Sequence, residues 1–66
     1  MIKIDSIIVR ADKVIGCDIE WGTLRVYVEG VPTPLSYNYR DPVKAYKAQE
    51  SFLEMLKKEL DKNPNS

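Results

Sequence analysis

The stretch "GVPTPLSYNYRDP", residues 30–42, decides how the chain folds, because three prolines and two tyrosines fall within it. Gly30 permits a reversal of the chain. Pro32 and Pro34 fix φ and remove two amide donors that a central ladder would need, so the segment reads as a loop or a strand edge. Beyond it Leu35, Tyr37 and Tyr39 alternate with Ser36, Asn38 and Arg40. That period of two predicts a short fourth strand with its tyrosines toward the core. Asp41 then offers a carboxylate to an orphan amide as an N-cap, and Pro42 suits the first helical position because it has no amide to leave unpaired. The stretch is the junction between a sheet and a helix.

Downstream, from 42 to about 62, the residues Ala45, Tyr46, Phe52, Leu53, Leu56 and Leu60 fall on one stripe at helical spacing, with Ala48 and Met55 on its shoulder. Glu54 precedes Lys58 by four residues and Lys47 precedes Glu50 by three, spacings that add a few tenths of a kcal/mol each on a helix surface. Gln49 interrupts the stripe. A buried amide there needs a partner at a strand end or on the Tyr37 hydroxyl, unless that part of the helix faces another molecule. Such a helix does not stand alone in water and lays its apolar stripe on a sheet.

Upstream, β-branched residues recur with a period near two. Ile2 and Ile4 alternate with Lys3 and Asp5, and the phase then shifts to Ile7 and Val9, which suggests a bulge near Ser6. After the polar break "ADK" (11–13), Ile15, Cys17, Ile19 and Trp21 take the buried face and Gly16, Asp18 and Glu20 the other. Gly22 turns the backbone through its tolerance of positive φ, and Leu24, Val26 and Val28 return opposite Arg25, Tyr27 and Glu29. The expected fold is α+β: an antiparallel β-meander of three or four strands packed on one face by a single C-terminal α-helix. Residues 1–62 form one domain and 63–66 a frayed polar tail.

Composition narrows the function. A chain of 66 residues buries only about 60% of its unfolded surface, so self-association is one way for it to complete its burial. Ten basic residues balance ten acidic ones, and the balance holds on both sides of residue 40. No basic footprint for nucleic acid or for a membrane surface results. One cysteine and no disulfide partner point to a reducing compartment, with the cytoplasm as the expected location. The N-terminal segment carries Lys3 and Asp5 within its apolar run and does not read as a signal peptide. No segment has the length of a membrane span.

Chemistry has little to work with. There is no histidine, and the carboxylates alternate with lysines rather than converge. Cys17 lies within an apolar alternation without a basic partner and reads as a small core residue, not a nucleophile. Three scattered glycines do not cradle a phosphate, and no zinc or iron ligand set exists. We therefore expect no enzymatic activity, no cofactor, no metal and no small-molecule ligand.

Two surfaces are candidates for binding. The first is the sheet face away from the helix, with Gly16, Asp18, Glu20, Arg25, Tyr27, Glu29, Ser36, Asn38 and Arg40. There Tyr27 flanked by Arg25 and Arg40 has the composition of an interface anchor. The second is an open strand edge, whose free amides and carbonyls invite pairing. The expected role is a small non-catalytic interaction or assembly module, with a protein partner or a second copy in a homodimer.

The motifs "RVYVEG" (25–30) and "YRDPVKAYKAQESFLEML" (39–56) carry a topological resemblance. Over residues 13–60 the pattern of three strands and a helix resembles the small arm-type DNA-binding domains at the N-termini of some phage and transposon integrases. The resemblance implies, as an alternative function, a sheet face laid against DNA. Those domains use a basic face, whereas Asp18, Glu20 and Glu29 outnumber Arg25 and Arg40 here, a balance that repels phosphates.

Overall fold

The computed structural model describes residues 1–62, so the tail expected at 63–66 lies outside the described residues. In chain order the elements are β1 (Ile2–Ile4), β2 (Ile7–Val9), a 3-10 turn (Ala11–Lys13), β3 (Val14–Glu20), β4 (Thr23–Val28), β5 (Leu35–Asn38) and α1 (Pro42–Asp61). The three strands β3, β4 and β5 form an antiparallel meander in that order, and β1 pairs with β2 as a separate two-stranded sheet. The α+β fold expected from the sequence is present, with the residues before 10 forming a hairpin of their own.

The junction at 30–42 behaves as its residues require. Gly30 takes φ +81, β5 follows the prolines, and the Asp41 carboxylate accepts from the Val43 amide at 2.9 Å as the helix N-cap. Among described residues the helix ion pair is Lys62 with Glu59 at 3.7 Å, not the Glu54–Lys58 or Lys47–Glu50 spacings.

Three expectations for the strands are corrected. The phase shift after Ile4 is a complete reversal, not a bulge near Ser6: Ile4 pairs with Ile7, and Asp5 takes φ 51 in the two-residue turn. Aspartate tolerates that left-handed conformation better than most residues. The bulge lies instead between Val14 and Gly16. It returns Val14 to the core and leaves Ile15 70% exposed. Trp21 is not buried either. It occupies the β3–β4 turn at φ 53 and is 67% exposed.

Gly22 serves a different purpose from the one expected of it, since Trp21 carries the positive φ. A Cβ at Gly22 would stand 2.8 Å from the Asp41 amide nitrogen and 3.3 Å from that of Arg40. Its carbonyl accepts from the Tyr39 amide at 2.8 Å. The glycine therefore lets the sheet-to-helix junction lie directly on the β3–β4 turn.

The helix is rotated relative to the expected stripe. Ala45, Ala48 and Phe52 are its buried residues, and Met55 and Leu56 pack beside them. Tyr46, Leu53 and Leu60 are 59%, 46% and 43% exposed. Two alanines allow the helix backbone to approach the sheet closely, and Phe52 fills the wider gap one turn later. The core joins Ile2, Ile7 and Val9 of the hairpin to Leu24 and Val26 of the meander through Ala48 and Phe52. Helix α1 thus packs on β1 on one side and on β3 and β4 on the other.

A paired substitution checks the Gly22 contact. Gly22→Ala is expected to destabilise the fold by about 1–3 kcal/mol, the usual cost of overpacking. Gly16→Ala, with nothing within 4 Å of the added Cβ, is expected to be close to neutral. Urea unfolding of both variants measures the difference.

Candidate functional site

The outer face of the meander is organised around one guanidinium. Register places Asp18 opposite Arg25 and Gly16 opposite Tyr27. Arg25 donates to both Asp18 oxygens, from Nε at 2.7 Å and from Nη2 at 2.9 Å, and its Nη1 donates to Glu20 Oε2 at 2.6 Å. The Tyr27 hydroxyl donates to Asp18 Oδ2 at 3.1 Å. The bidentate hydrogen bond from Arg25 holds the Asp18 carboxyl below its ordinary pKa, and Asp18 in turn raises that of Arg25.

Two of the three residues expected to bind a partner, Arg25 and Tyr27, therefore meet on Asp18. Arg40 is elsewhere. It lies at the β5–α1 junction with φ 61, its amide donating to Asn38 Oδ1 at 2.7 Å, beside Gly22 at the turn end of the sheet. Glu29 likewise lies in the turn after β4 rather than on the outer face.

At the junction the Tyr39 hydroxyl donates to Asp5 Oδ2 and ties β5 to the β1–β2 turn. Tyr37 and Tyr39 meet edge to face with ring centroids 4.7 Å apart. Burial, then the bond to Asp5, pushes the Tyr39 hydroxyl above its ordinary pKa. Tyr37 remains 38% exposed, so one of the two tyrosines expected in the core reaches it only partly.

The second surface runs along β3, a terminal strand of its sheet. Hydrogen bonds at both margins fix the ladder's alternation: Glu29 N donates to the Lys13 carbonyl, and Tyr39 N donates to the Gly22 carbonyl. In an antiparallel ladder of this phase Gly16, Asp18 and Glu20 bond to β4. The amides and carbonyls of Cys17 and Ile19 face the open side.

Beside that edge lies the exposed row of the helix. Passing round α1 from the buried line of Ala45 and Phe52, Gln49 comes next, then Leu53 and Tyr46. Gln49 Nε2 approaches Cys17 Sγ at 3.8 Å, which puts this side of the helix over β3. The partner of Gln49 is thus a thiol, neither a strand end nor the Tyr37 hydroxyl. Sequence reasoning merged Tyr46, Leu53 and Leu60 with the core stripe. Their spacing of seven marks a separate line.

An open depression lined by Met1, Arg10, Ala11, Asp12, Glu59 and Leu60 contains Arg10 already paired with Asp12 at 3.0 Å. Among the described residues no three acidic, cysteine or histidine side chains gather as metal ligands, and no helix is long and apolar enough to cross a membrane. No protein family, curated protein or solved structure matches this chain.

Two outcomes test the roles given to these residues. Because the folded pKa of Asp18 is depressed, the stability it contributes is present above the unfolded value of about 3.9 and is lost as pH falls through the lower folded value. Asp18→Asn is therefore expected to flatten the acid side of the stability curve, read by thermal unfolding from pH 6 to 2. At protein concentrations low enough to keep the chain monomeric, Trp21→Asn is expected to leave the fold as stable or raise it by about 1 kcal/mol, since asparagine relieves the left-handed strain of a bulky residue. A marked loss of stability would make Trp21 a structural residue instead.

Proposed function

We propose that this chain is a small non-catalytic assembly module that receives an extended strand from a protein partner on the open edge of β3, the apolar row of the helix covering the added strand. The observation that carries the reading is the juxtaposition itself. Gln49 reaches Cys17, so Tyr46 and Leu53, which follow Gln49 round the helix and are 59% and 46% exposed, fall on the side of the outward amides and carbonyls of Cys17 and Ile19. Strand addition takes its affinity from main-chain hydrogen bonds and its selectivity from side-chain contacts beside them, and this edge offers both.

The opposite edge supports the assignment. β5 is short, is entered through Pro32 and Pro34, and has β2 against it, the usual means of blunting an edge. The outer sheet face is less suited to a partner, because Arg25 is already held by two carboxylates. The same pairing weighs against the DNA reading, which needs free cations on that face to release counterions. Trp21, exposed and strained at the end of β3, extends the receptive edge with an aromatic of the kind that anchors interfaces.

A peptide copying Val14–Trp21 is the probe. Titrated into labelled protein, it is expected to shift the amide resonances of Cys17 and Ile19 and the side-chain resonances of Tyr46 and Leu53, while a scrambled peptide does neither. Shifts centred on Tyr27 and Arg25, or none up to the solubility limit in protein dilute enough to run at the mass of one chain, would overturn the reading.

A further inference from the structure

Resting on that reading, we infer that the strand received by β3 is β3 of a second copy of this chain, paired antiparallel about a two-fold axis at Cys17. A two-fold antiparallel pairing sets each residue against the one equally distant from the axis. Cys17 is the midpoint of Val14–Glu20, so this register pairs the strand over its length except at the bulged Ile15. It sets Asp18 against glycine 16 and, counted past the bulge, Ile19 against valine 14 and Glu20 against lysine 13 of the other copy, so no carboxylate meets another. Centring on Asp18 would bring two carboxylates face to face, and centring on Ile19 would set Asp18 against Glu20. Centring on Gly16 or Ile15 would leave much of the strand unpaired. The balanced charge, ten of each sign, adds no net repulsion between copies.

The position of the helix fits the same axis. Neighbouring strands lie about 4.8 Å apart, so a helix resting on both β3 and β4 sits about 5 Å from the axis. Its symmetry mate is then about 10 Å away, at the upper end of the 8–10 Å at which helices pack. The contact between Gln49 and Cys17 places the middle of the helix level with the axis. Tyr46 and Leu53, three residues before and four after Gln49, therefore meet each other across the dimer.

Trp21, Tyr46 and Leu53 are 67%, 59% and 46% exposed, a free area on the order of 400 Å² per copy, about half of the ~800 Å² of a standard interface before the strand backbone is counted. One like-charge approach results, Glu50 with its copy on the solvent side of the axis. Glu50→Gln is expected to tighten the dimer.

Sedimentation equilibrium and an isotope-filtered NMR experiment on a mixed labelled and unlabelled sample test the inference. The expected mass is twice the 7.6 kDa of one chain, with an intermolecular contact between the α-protons of Gly16 and Asp18. Leu53→Lys is expected to return the mass to that of one chain with an unchanged circular dichroism spectrum; if that variant fails to fold, Tyr46→Lys replaces it. A mass that stays at 7.6 kDa into the millimolar range would overturn self-pairing, while strand addition stands or falls by the peptide titration. A doubled mass with intermolecular contacts elsewhere, or one that survives both lysine variants, would overturn the register.

Discussion

Phe52 is the side chain on which two separate sheets depend. Fully buried, it belongs to the cluster that receives Ile2, Ile7 and Val9 from the hairpin and Leu24 and Val26 from the meander. Burying a phenylalanine contributes on the order of 1.5–3 kcal/mol, a large share where a single core below about 70 residues supplies roughly 3–5 kcal/mol. Its more important effect is geometric. Neither sheet alone is wide enough to cover a helix of 20 residues, and sharing Phe52 fixes how far α1 is turned about its own axis. The small residues Ala45 and Ala48 follow it into the interior, and Tyr46 and Leu53 are carried out beside β3.

That rotation explains where sequence patterning succeeded and where it did not. The junction was legible because Gly30, Pro32, Pro34, Asp41 and Pro42 each act through local backbone geometry, which needs no knowledge of the rest of the chain. The strands from Cys17 to Val28 were legible because a two-residue turn joins two clean alternations. Burial along the helix was not, since the apolar spacing alone counts Tyr46 and Leu53 with Phe52 on one stripe. What separates them is the shape of the groove between two sheets. The reversal at Asp5 and the bulge beside Ile15 were misplaced for a related reason: either event shifts the phase of an alternation, and the pattern alone does not say which occurred.

The candidate site was half legible. An open strand edge and an outer face bearing Arg25 and Tyr27 both follow from the alternation. The sequence did not show that Asp18 and Glu20 hold Arg25, because that depends on cross-strand register. Arg40, close in the pattern, is distant in the fold because the chain leaves β5 before reaching it. The phase of the alternation assigns Trp21 to the core, yet a residue at the last position of an alternation falls readily into the turn that follows. Its exposure, together with that of Ile15, moves the apolar surface of the molecule toward the β3 edge.

The outcome is a domain whose core lies where the two sheets meet, with an unpaired strand edge and exposed apolar side chains gathered on one flank. If a second copy covers that flank, folding and association are linked, and stability depends on protein concentration. Equilibrium unfolding in urea at micromolar and at millimolar protein tests this most directly. The account predicts that the midpoint rises with concentration, and a midpoint identical at both would contradict it.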